Sequence, residues 1–347
     1  MPRITTDLTN TPSTEFIADR LDQFYDIAVD ELTFLGGDVD RNYRLRSADG
    51  GTYLVKVQTV VGDGAELHWQ EAILVHLRGS DLGFAVPNIV QTVDGGLHVP
   101  FELRTDAGLL RVLDWIPGTE LGRVDEHSPS LLRELGAAAA GITAALEGFS
   151  APSIHATHHW DLTRSAEIIR HSIADDSVRA DDFGARSVLD AFDAVAPELT
   201  DLPRAMVHHD LNDNNVLVAE NDGRQTIAGV LDFNDALYSV RVAEPTIAGA
   251  YAMLRKDDPL AALGHVIGGY HAVTPLTTRE LGVVWPLAVA RLCMQALTWT
   301  IRGKTTPSAY GSMRMQHTLP TLERIVDVDS DEASAYLRAV CLEVESK

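Results

Sequence analysis

The segment His208-His-Asp-Leu-Asn-Asp-Asn-Asn215 decides the fold class that this sequence predicts. It sets a carboxylate, Asp210, five residues before an amide, Asn215, and a run of apolar residues follows directly. A second apolar run lies after Asn221-Asp-Gly223, and an Asp-Gly pair between two such runs predicts a β-hairpin. The hairpin returns the chain to Leu231-Asp-Phe-Asn-Asp235, beside the first segment.

The turn at Asp222-Gly223 places Asn215 and Asp232 at the same end of the ribbon, about one step out of register. One amide oxygen and one carboxylate then converge there. Hard oxygen ligands of this kind suit Mg²⁺, which takes its other ligands from water and substrate phosphates. Asp210, just ahead of the ribbon, is placed to accept a proton from an attacking hydroxyl. His208 is interpreted as a brace for this loop.

A cation for the donor phosphates is predicted upstream, at Lys56. It lies in the alternating run Thr52-Tyr-Leu-Val-Lys-Val57, where the two valines flanking it face the opposite side of the strand. The bend Leu35-Gly-Gly-Asp-Val-Asp-Arg-Asn42, with Gly37 and Asn42, is predicted to cover phosphates with backbone N–H groups. It is not a P-loop, because the G-x4-G-K-[ST] pattern is absent. A lysine on a strand, then Asp-x4-Asn, then Asp-Phe-x is the order of protein-kinase-like phosphotransfer.

The remaining patterns predict an α+β, protein-kinase-like fold with two lobes and a cleft between them. Strands are expected at residues 41–46, 52–57, 97–99, 103–105 and 109–113, and a helix at 65–78. From residue 128 the chain is mainly helical. We therefore expect a strand-rich N-terminal lobe at residues 1–113, a hinge at 114–118 and a helical C-terminal lobe at 119–347.

Composition excludes several classes of partner. The chain has 347 residues, with 28 Lys and Arg against 50 Asp and Glu, a net charge of −22. Nucleic acids and anionic membrane surfaces are therefore excluded as partners, whereas a cationic small molecule is permitted. Two cysteines form neither a disulfide framework nor a zinc cluster. No signal-peptide pattern or uncharged membrane-length run is visible, so we expect a soluble cytoplasmic protein.

These motifs resemble the aminoglycoside phosphotransferase/choline kinase family, and within it the hydroxylysine kinases. The resemblance covers roughly residues 25–325 and includes Asp40-Arg-Asn-Tyr43 and Leu113-Asp-Trp-Ile-Pro-Gly-Thr119. It implies that Asp210 is the catalytic base, that Asn215 and Asp232 bind Mg²⁺, and that Lys56 contacts the donor phosphates. It also implies a purine-binding hinge at Asp114, Trp115 and Ile116. ATP and GTP both stay open as donors.

Three positions depart from the family pattern. His209 stands where Gly is usual. Asn234 is the third residue of the Asp-Phe-Gly-like triplet, where we expect it to adopt the positive φ that Asn tolerates. Gln70 stands where many relatives have the Glu that pairs with the lysine, so Gln70, Glu66 and Glu71 all stay open as partners of Lys56.

The acceptor is less well defined than the reaction. Asp213, Asp235, His209 and Arg291 are candidate acceptor contacts, although a structural ion pair is the first interpretation of Arg291. Glu244, before Pro245, is interpreted as a charge favoured by a helix N-terminus. We expect a hydroxyl of an amine-bearing acceptor, hydroxylysine-like first and then an aminoglycoside or choline/ethanolamine. The sequence makes no prediction of oligomeric state.

Two other classes of function stay open. One is a nucleotide-binding regulator without transfer activity, which the three departures motivate. The other is a metal-dependent hydrolase built from His155, His158 and His159 together with residues 208–210.

Overall fold

The computed structural model describes residues 12–37, 40–59, 65–102, 107–150, 159–175, 178–179, 182–305 and 309–346. The chain divides into two compact units. Among the described residues, unit 1 contains those from 12 to 79 and Val86–Ile116, and unit 2 contains Ser80–Ala85, Pro117–Ser150 and those from 159 to 346.

In its described residues, unit 1 is built on one antiparallel sheet with two helices. The elements, in chain order, are α1 (Thr14–Tyr25), β1 (Val29–Gly36), β2 (Arg41–Ser47), β3 (Thr52–Thr59), α2 (Ala65–Leu77), β4 (Ile89–Val90), β5 (Val99–Glu102) and β6 (Ala107–Asp114). The strands follow the order β1-β2-β3-β6-β4, and β5 pairs with β6.

The β2–β3 hairpin carries the core of unit 1, as its alternating sequence predicts. Tyr43 and Val55 face each other in the register, and both are buried. Ile17 and Leu21 of α1 join this apolar cluster. The helix expected at residues 65–78 is confirmed as α2. The strand expected at 97–99 lies later, at Val99–Glu102, where buried and exposed residues begin to alternate. The strand expected at 103–105 lies outside the described residues.

Unit 2 is mainly helical. Its helices are α3 (Pro129–Ala145), α4 (Ser165–Ile173), α5 (Ala185–Val195), α6 (Ala243–Ala252), α7 (Pro259–Val273), α8 (Thr278–Thr305), α9 (Ala309–Ile325) and α10 (Ser330–Glu345). Its strands are β7 (Thr119–Glu120), β8 (Arg204–Val207), β9 (Val216–Asn221), β10 (Arg224–Val230) and β11 (Leu237–Val240). They form two small antiparallel sheets, β10-β9-β7 and β11-β8.

Helix α8 is the central helix of unit 2. By length and composition alone it is long and apolar enough to span a membrane. However, 94% of its apolar 18-residue stretch is buried inside the protein. It packs against α4, α5, α6, α9 and α10. A helix that is apolar on every face is expected at the centre of a large helical unit, because every face meets another element.

Helices α3 and α7 approach closely because glycines lie at their contact. A Cβ on Gly136 of α3 would overlap the carbonyl oxygen of Val266 and the amide nitrogen of Tyr270 in α7. A Cβ on Gly269 of α7 would overlap the carbonyl oxygen of Arg133 in α3. Backbone atoms cannot yield as a flexible side chain does, so the spacing of these helices depends on glycine.

We expect Gly136→Ala to lower the free energy of unfolding by about 2 kcal/mol, the size typical of overpacking. Alanine is the better helix former by about 1 kcal/mol, so the loss comes from the contact with α7. Urea denaturation measures the change. Gly282→Ala in α8 is the matched control, because a Cβ there meets nothing within 4 Å. It is expected to be neutral or stabilising, and equal effects of the two substitutions would contradict the contact argument.

Candidate active site

The β9–β10 hairpin brings the two predicted metal-binding positions to one end of the ribbon. Its turn is the one that Asp222-Gly223 predicts, and the pairing is regular from Arg224↔Asn221 to Ile227↔Val218. The register then shifts at a bulge before Gly229↔Leu217. Beyond the bulge, the Leu231 N–H donates to the Asn215 carbonyl at 2.7 Å. This bond ties the residue before Asp232 directly to Asn215.

Asn212 and Asn215 orient Asp210. Oδ2 of Asp210 accepts from Nδ2 of Asn212 at 2.7 Å and from Nδ2 of Asn215 at 2.8 Å. The same Asn215 nitrogen also donates to the Asp210 carbonyl at 3.0 Å. The amide nitrogen of Asn215 is thus turned toward Asp210, and its side-chain oxygen is of the atom type that Mg²⁺ prefers.

The other carboxylate oxygen of Asp210 faces a buried cation. Nη2 of Arg291 lies 2.8 Å from Oδ1, and the Arg291 side chain is buried. Burial and the negative charge of Asp235 raise the pKa of Asp210, whereas the Arg291 guanidinium and the Asn212 amide oppose that rise. The structural ion pair that was the first interpretation of Arg291 is therefore present, and its partner is the predicted base.

Both ring nitrogens of His208 form hydrogen bonds that hold the loop in place. One of its ring nitrogens, Nδ1, accepts the Asp210 N–H at 3.2 Å, and the other, Nε2, lies 2.9 Å from the Leu231 carbonyl. Its ring packs on Phe233 with centroids 4.5 Å apart. Burial lowers the pKa of His208, which favours the neutral ring that this pair of bonds requires. The bracing interpretation agrees with these contacts.

His209 adopts a left-handed backbone conformation, with φ 66°. This explains why Gly suits the position, since a side chain at positive φ costs on the order of 1–3 kcal/mol. Its N–H donates to Oε2 of Glu244 at 2.9 Å, and its ring Nε2 accepts the Leu162 N–H at 3.0 Å. The side chain is fully buried. These bonds favour a structural role over the predicted acceptor contact.

Glu244 is more than a charge favoured by the N-terminus of a helix. It lies in the first turn of α6, is fully buried, and accepts the N–H of the strained His209. Burial raises the pKa of Glu244 to about 8. An acidic residue inside the apolar run from 242 to 250 was the available signal, because a buried carboxyl group needs a hydrogen-bond donor.

The positive φ expected at Asn234 is wrong. The positive φ lies two residues earlier, at Asp232, with φ 59°. Residues Phe233–Asp235 form a short 3₁₀ turn, which holds Asn234 at a helical φ. The sharp change of direction therefore occurs at the predicted metal ligand itself.

Asp213 and Asp235 differ in exposure. Asp213 is buried and forms an ion pair with Arg314 of α9, and Arg255 lies 3.9 Å away. Asp235 is half-buried at the end of the 3₁₀ turn. The contact of Arg314 with Asp213 was not predicted from the sequence, because the two residues lie about a hundred positions apart.

The histidine cluster is only partly visible. His155 and His158 lie outside the described residues, and Nε2 of His159 lies 3.2 Å from Oγ1 of Thr298. Among the residues that the structure describes, no group of three or more His, Cys, Asp or Glu side chains is arranged to hold a metal ion. The metal-dependent hydrolase hypothesis thus gains no support from the described part of the chain.

In unit 1, Lys56 meets a carboxylate that was not among the proposed partners. Its Nζ lies 3.0 Å from Oδ2 of Asp40, and both side chains are buried. Gln70 instead bonds Gln58 and Arg111, and Glu71 bonds His98 at 2.7 Å. The side chain of Glu66 lies outside the described residues.

The glycine bend supports this ion pair. Gly37 has φ 139°, and a Cβ there would overlap the Asp40 carbonyl and approach Nδ2 of Asn42 to 2.9 Å. Asn42 faces Lys56 in the β2–β3 register. Gly37 is thus packed tightly against Asp40, which pairs with the lysine, and against Asn42.

The predicted hinge begins at Asp114, the last residue of β6. The Asp114 N–H donates to the Asn88 carbonyl at 3.0 Å, and Nδ2 of Asn88 donates to Oδ2 of Asp114 at 3.3 Å. The guanidinium of Arg44 lies over the Trp115 ring, 5.0 Å from its centroid, and Ile116 is buried.

Comparison with known proteins gives consistent results. The family model described as "Phosphotransferase enzyme family" matches residues 31–281. Hydroxylysine kinase of Danio rerio is 24% identical over 330 residues, which cover 91% of this chain and 92% of that protein. Hydroxylysine kinase of Bos taurus is 29% identical over 240 residues, 65% of this chain, and the matched part spans 62% of the bovine protein.

Solved structures show the same fold. An amicoumacin kinase in complex with AMP-PNP and Ca²⁺ is similar over 92% of this chain and 97% of its own, with a TM-score of 0.69 and 17% identity. An aminoglycoside phosphotransferase in complex with GDP and kanamycin covers 90% of this chain and 98% of its own, with a TM-score of 0.62 and 16% identity. The predicted protein-kinase-like α+β fold is confirmed.

We expect Glu244→Gln to change how stability depends on pH. The pKa of Glu244 is about 8 in the folded chain and returns toward its ordinary 4.5 on unfolding. Between these values only the folded chain keeps the proton, so the contribution of this group is complete below the lower value and is lost as the pH rises through the higher one. Glutamine keeps an acceptor for the His209 N–H and does not titrate.

Urea denaturation of both proteins between about pH 5 and 8 measures this effect. The variant should gain stability relative to the unmodified chain as the pH rises. Glu280→Gln is the control, because Glu280 is equally buried but its pKa is lowered, chiefly by its bond to Arg241. Because Glu280 is ionised in the folded and the unfolded chain throughout this range, the stability of Glu280→Gln relative to the unmodified chain should stay nearly constant with pH. Parallel curves for Glu244→Gln and the unmodified chain would contradict the assignment.

Proposed function

The chain belongs to the phosphotransferase enzyme family, and we propose that it is a kinase that transfers the γ-phosphoryl group of ATP or GTP to a hydroxyl of a small amine-bearing acceptor. The observation that carries this proposal is the bonding of Asp210 to Asn215 at the end of the ribbon that also presents Asp232. We assign donor binding to residues 1–113, purine contact to residues 114–118, and catalysis and acceptor binding to residues 119–347.

Asp210 is the proposed catalytic base. The acceptor oxygen forms a bond to the γ-phosphorus while the bond from that phosphorus to the bridging oxygen breaks. The hydroxyl proton passes to the Asp210 carboxylate, and the nucleoside diphosphate leaves. Oδ1 of Asp210 accepts one bond, from Arg291, and Oδ2 accepts two, from the amides of Asn212 and Asn215. Since a carboxylate offers about four lone-pair sites, one can still receive that proton.

Asn215 and Asp232 are the proposed Mg²⁺ ligands. Their donor atoms fit the ion, because an amide oxygen and a carboxylate are hard oxygen ligands. Mg²⁺ bound there would neutralise the charge that develops on the transferred phosphoryl group. The left-handed conformation of Asp232 and the Leu231–Asn215 bond support this assignment, because they fix both side chains at one end of the hairpin.

Lys56 is the proposed contact for the donor phosphates. Its ion pair with Asp40 supports this role, because the carboxylate fixes the position of the buried ammonium group. The backbone around Gly37 and Asn42 would cover the phosphates, and the backbone of Asp114, Trp115 and Ile116 would bind the purine. Both nucleotides remain candidates for the donor.

The acceptor that we place first is hydroxylysine-like, because the relatives named hydroxylysine kinase match up to 91% of the chain. Asp235 is the better-placed contact for its amine, since Asp235 is half-buried whereas Asp213 is buried. The net charge of −22 agrees with a cationic acceptor. An aminoglycoside or choline/ethanolamine is the next candidate.

We further infer that the enzyme works in the cytoplasm. Cys293 and Cys341 are both buried free thiols, which suits a reducing compartment. The excess of acidic residues supports the expectation that it binds neither nucleic acids nor membrane surfaces.

The proposal predicts nucleotide consumption that depends on an acceptor. Purified protein with Mg²⁺ is assayed with ATP and with GTP against hydroxylysine, other hydroxylated amines, aminoglycosides and choline. At least one pair should give a phosphorylated product. Asp210→Asn should lower kcat by about 10²–10⁴-fold, the range of general-base catalysis, while nucleotide still raises the thermal midpoint. Nucleotide binding without any product would instead favour the regulator hypothesis.

Asp232 and Asp235 should separate metal binding from acceptor binding. Asp232→Asn removes a charged oxygen ligand, so the Mg²⁺ concentration for half-maximal rate should rise by about tenfold or more. Asp235→Asn should leave that concentration nearly unchanged and raise the acceptor KM. Steady-state rates measure both quantities. Mg²⁺ is varied at saturating acceptor for the first, and the acceptor is varied at saturating Mg²⁺ for the second. A raised Mg²⁺ requirement for both variants, or for neither, would contradict the assignments.

A further inference from the structure

Arg291 is a charged residue at the centre of unit 2. It lies midway along α8, is 1% exposed, and its neighbours from Leu281 to Trp299 are almost all buried. A guanidinium in such surroundings needs several fixed partners to offset the loss of water.

The partners of Arg291 come from three separate parts of unit 2. Nη2 donates to Oδ1 of Asp210 at 2.8 Å, Nη1 donates to the Trp160 carbonyl at 2.9 Å, and Nε donates to the Tyr251 hydroxyl at 3.3 Å. The guanidinium carbon also lies 4.9 Å from the centre of the Trp160 ring. The three hydrogen bonds and the ring contact thereby fix the orientation of the guanidinium plane.

The hydroxyl of Tyr251 is fixed in turn. It donates to Oε1 of Gln295 at 2.7 Å, and Nε2 of Gln295 donates to Oγ1 of Thr318 at 2.6 Å. Gln295 lies one helical turn after Arg291 on α8, and Thr318 lies on α9. The guanidinium is therefore connected to α6, α8 and α9.

The contact between Arg291 and Asp210 differs in kind from the other side-chain bonds of that carboxylate. Asn212 and Asn215 belong to the same loop as Asp210 and move with it. Arg291 is 81 residues away in sequence. It is thus the described side-chain contact that fixes the carboxylate relative to the helical body of unit 2.

We propose that Arg291 is a positioning residue for phosphoryl transfer, which holds Oδ1 of Asp210 so that the carboxylate meets the acceptor hydroxyl at a fixed distance and angle. This inference rests on the proposed function. Arginine suits the task because its planar fork makes several bonds in fixed directions, whereas lysine offers one charged nitrogen. Arg291 does not itself touch the reacting atoms in this assignment.

The test compares Arg291→Lys and Arg291→Met with the unmodified chain. A misplacement of about 1 Å in a catalytic group costs up to about 10²-fold in rate. We expect kcat to fall by about 10–100-fold in Arg291→Met and by less in Arg291→Lys, which keeps a charge near Asp210. The KM values for nucleotide and acceptor should change by less than about threefold, because Arg291 contacts neither in this assignment.

Arg241→Met is the matched control. Arg241 also forms an ion pair with a buried residue of α8, since its Nε and Nη2 lie 2.7 and 2.9 Å from the two carboxylate oxygens of Glu280. Removing it should lower the thermal midpoint while leaving kcat within about twofold, because this pair does not include Asp210.

Several results would overturn the inference. One is an Arg291→Met protein that folds, binds nucleotide and keeps kcat within about threefold of the unmodified chain. Another is an equal loss of kcat in Arg241→Met at the same loss of stability. If Arg291→Met does not fold, Arg291→Lys decides, and an unchanged kcat there counts against the proposal. An unmodified chain that transfers phosphate to no acceptor fails at the proposed function itself, and the positioning role falls with it.

Discussion

The carboxylate of Asp210 imposes the constraint on which unit 2 depends. A carboxylate that is largely removed from water is tolerated only where donors surround it. Two amides from its own loop and one guanidinium from α8 meet that need. Asn215 is tied to the hairpin through Leu231, and Arg291 is tied to three helices through Tyr251 and Gln295. The fold and the proposed chemistry therefore share one set of bonds.

Backbone strain occurs in the two segments that carry Asp210 and Asp232. His209 and Asp232 hold positive φ angles of 66° and 59° without being glycine, at a cost on the order of 1–3 kcal/mol each. Such conformations persist only where the surroundings over-determine them. For His209 the surroundings are Glu244 and the Leu162 N–H. For Asp232 they include the 3₁₀ turn that follows it. Strain that is held in this way fixes the direction of the two segments that carry the proposed base and metal ligand.

What the sequence predicts well is what neighbouring residues determine. The β9–β10 turn and the first part of its register follow from Asp222-Gly223 and from alternation, and the position of Lys56 follows from the pattern of β3. The bulge before Gly229 could not be predicted, because the Ala228 carbonyl and Gly229 pair with Ala85, more than a hundred residues earlier. The partner of the Arg291 ion pair and the contact of Arg314 escaped prediction for the same reason. No local pattern reports which distant carboxylate a buried arginine will meet.

The partner of Lys56 shows how a departure from a family pattern can mislead. A glutamine at position 70 suggests a lost ion pair only if the carboxylate must come from α2. Here Asp40 provides it, next to the glycine bend and within reach of β3. Arg111 faces Lys56 in the β3–β6 register, so these two cations lie on the same face of the sheet. Gln70 bonds Arg111 while Asp40 bonds Lys56. The neutral Gln70 on α2 therefore occurs together with a different ion pair, in which Asp40 binds Lys56. Its neutrality is not an argument against phosphoryl transfer.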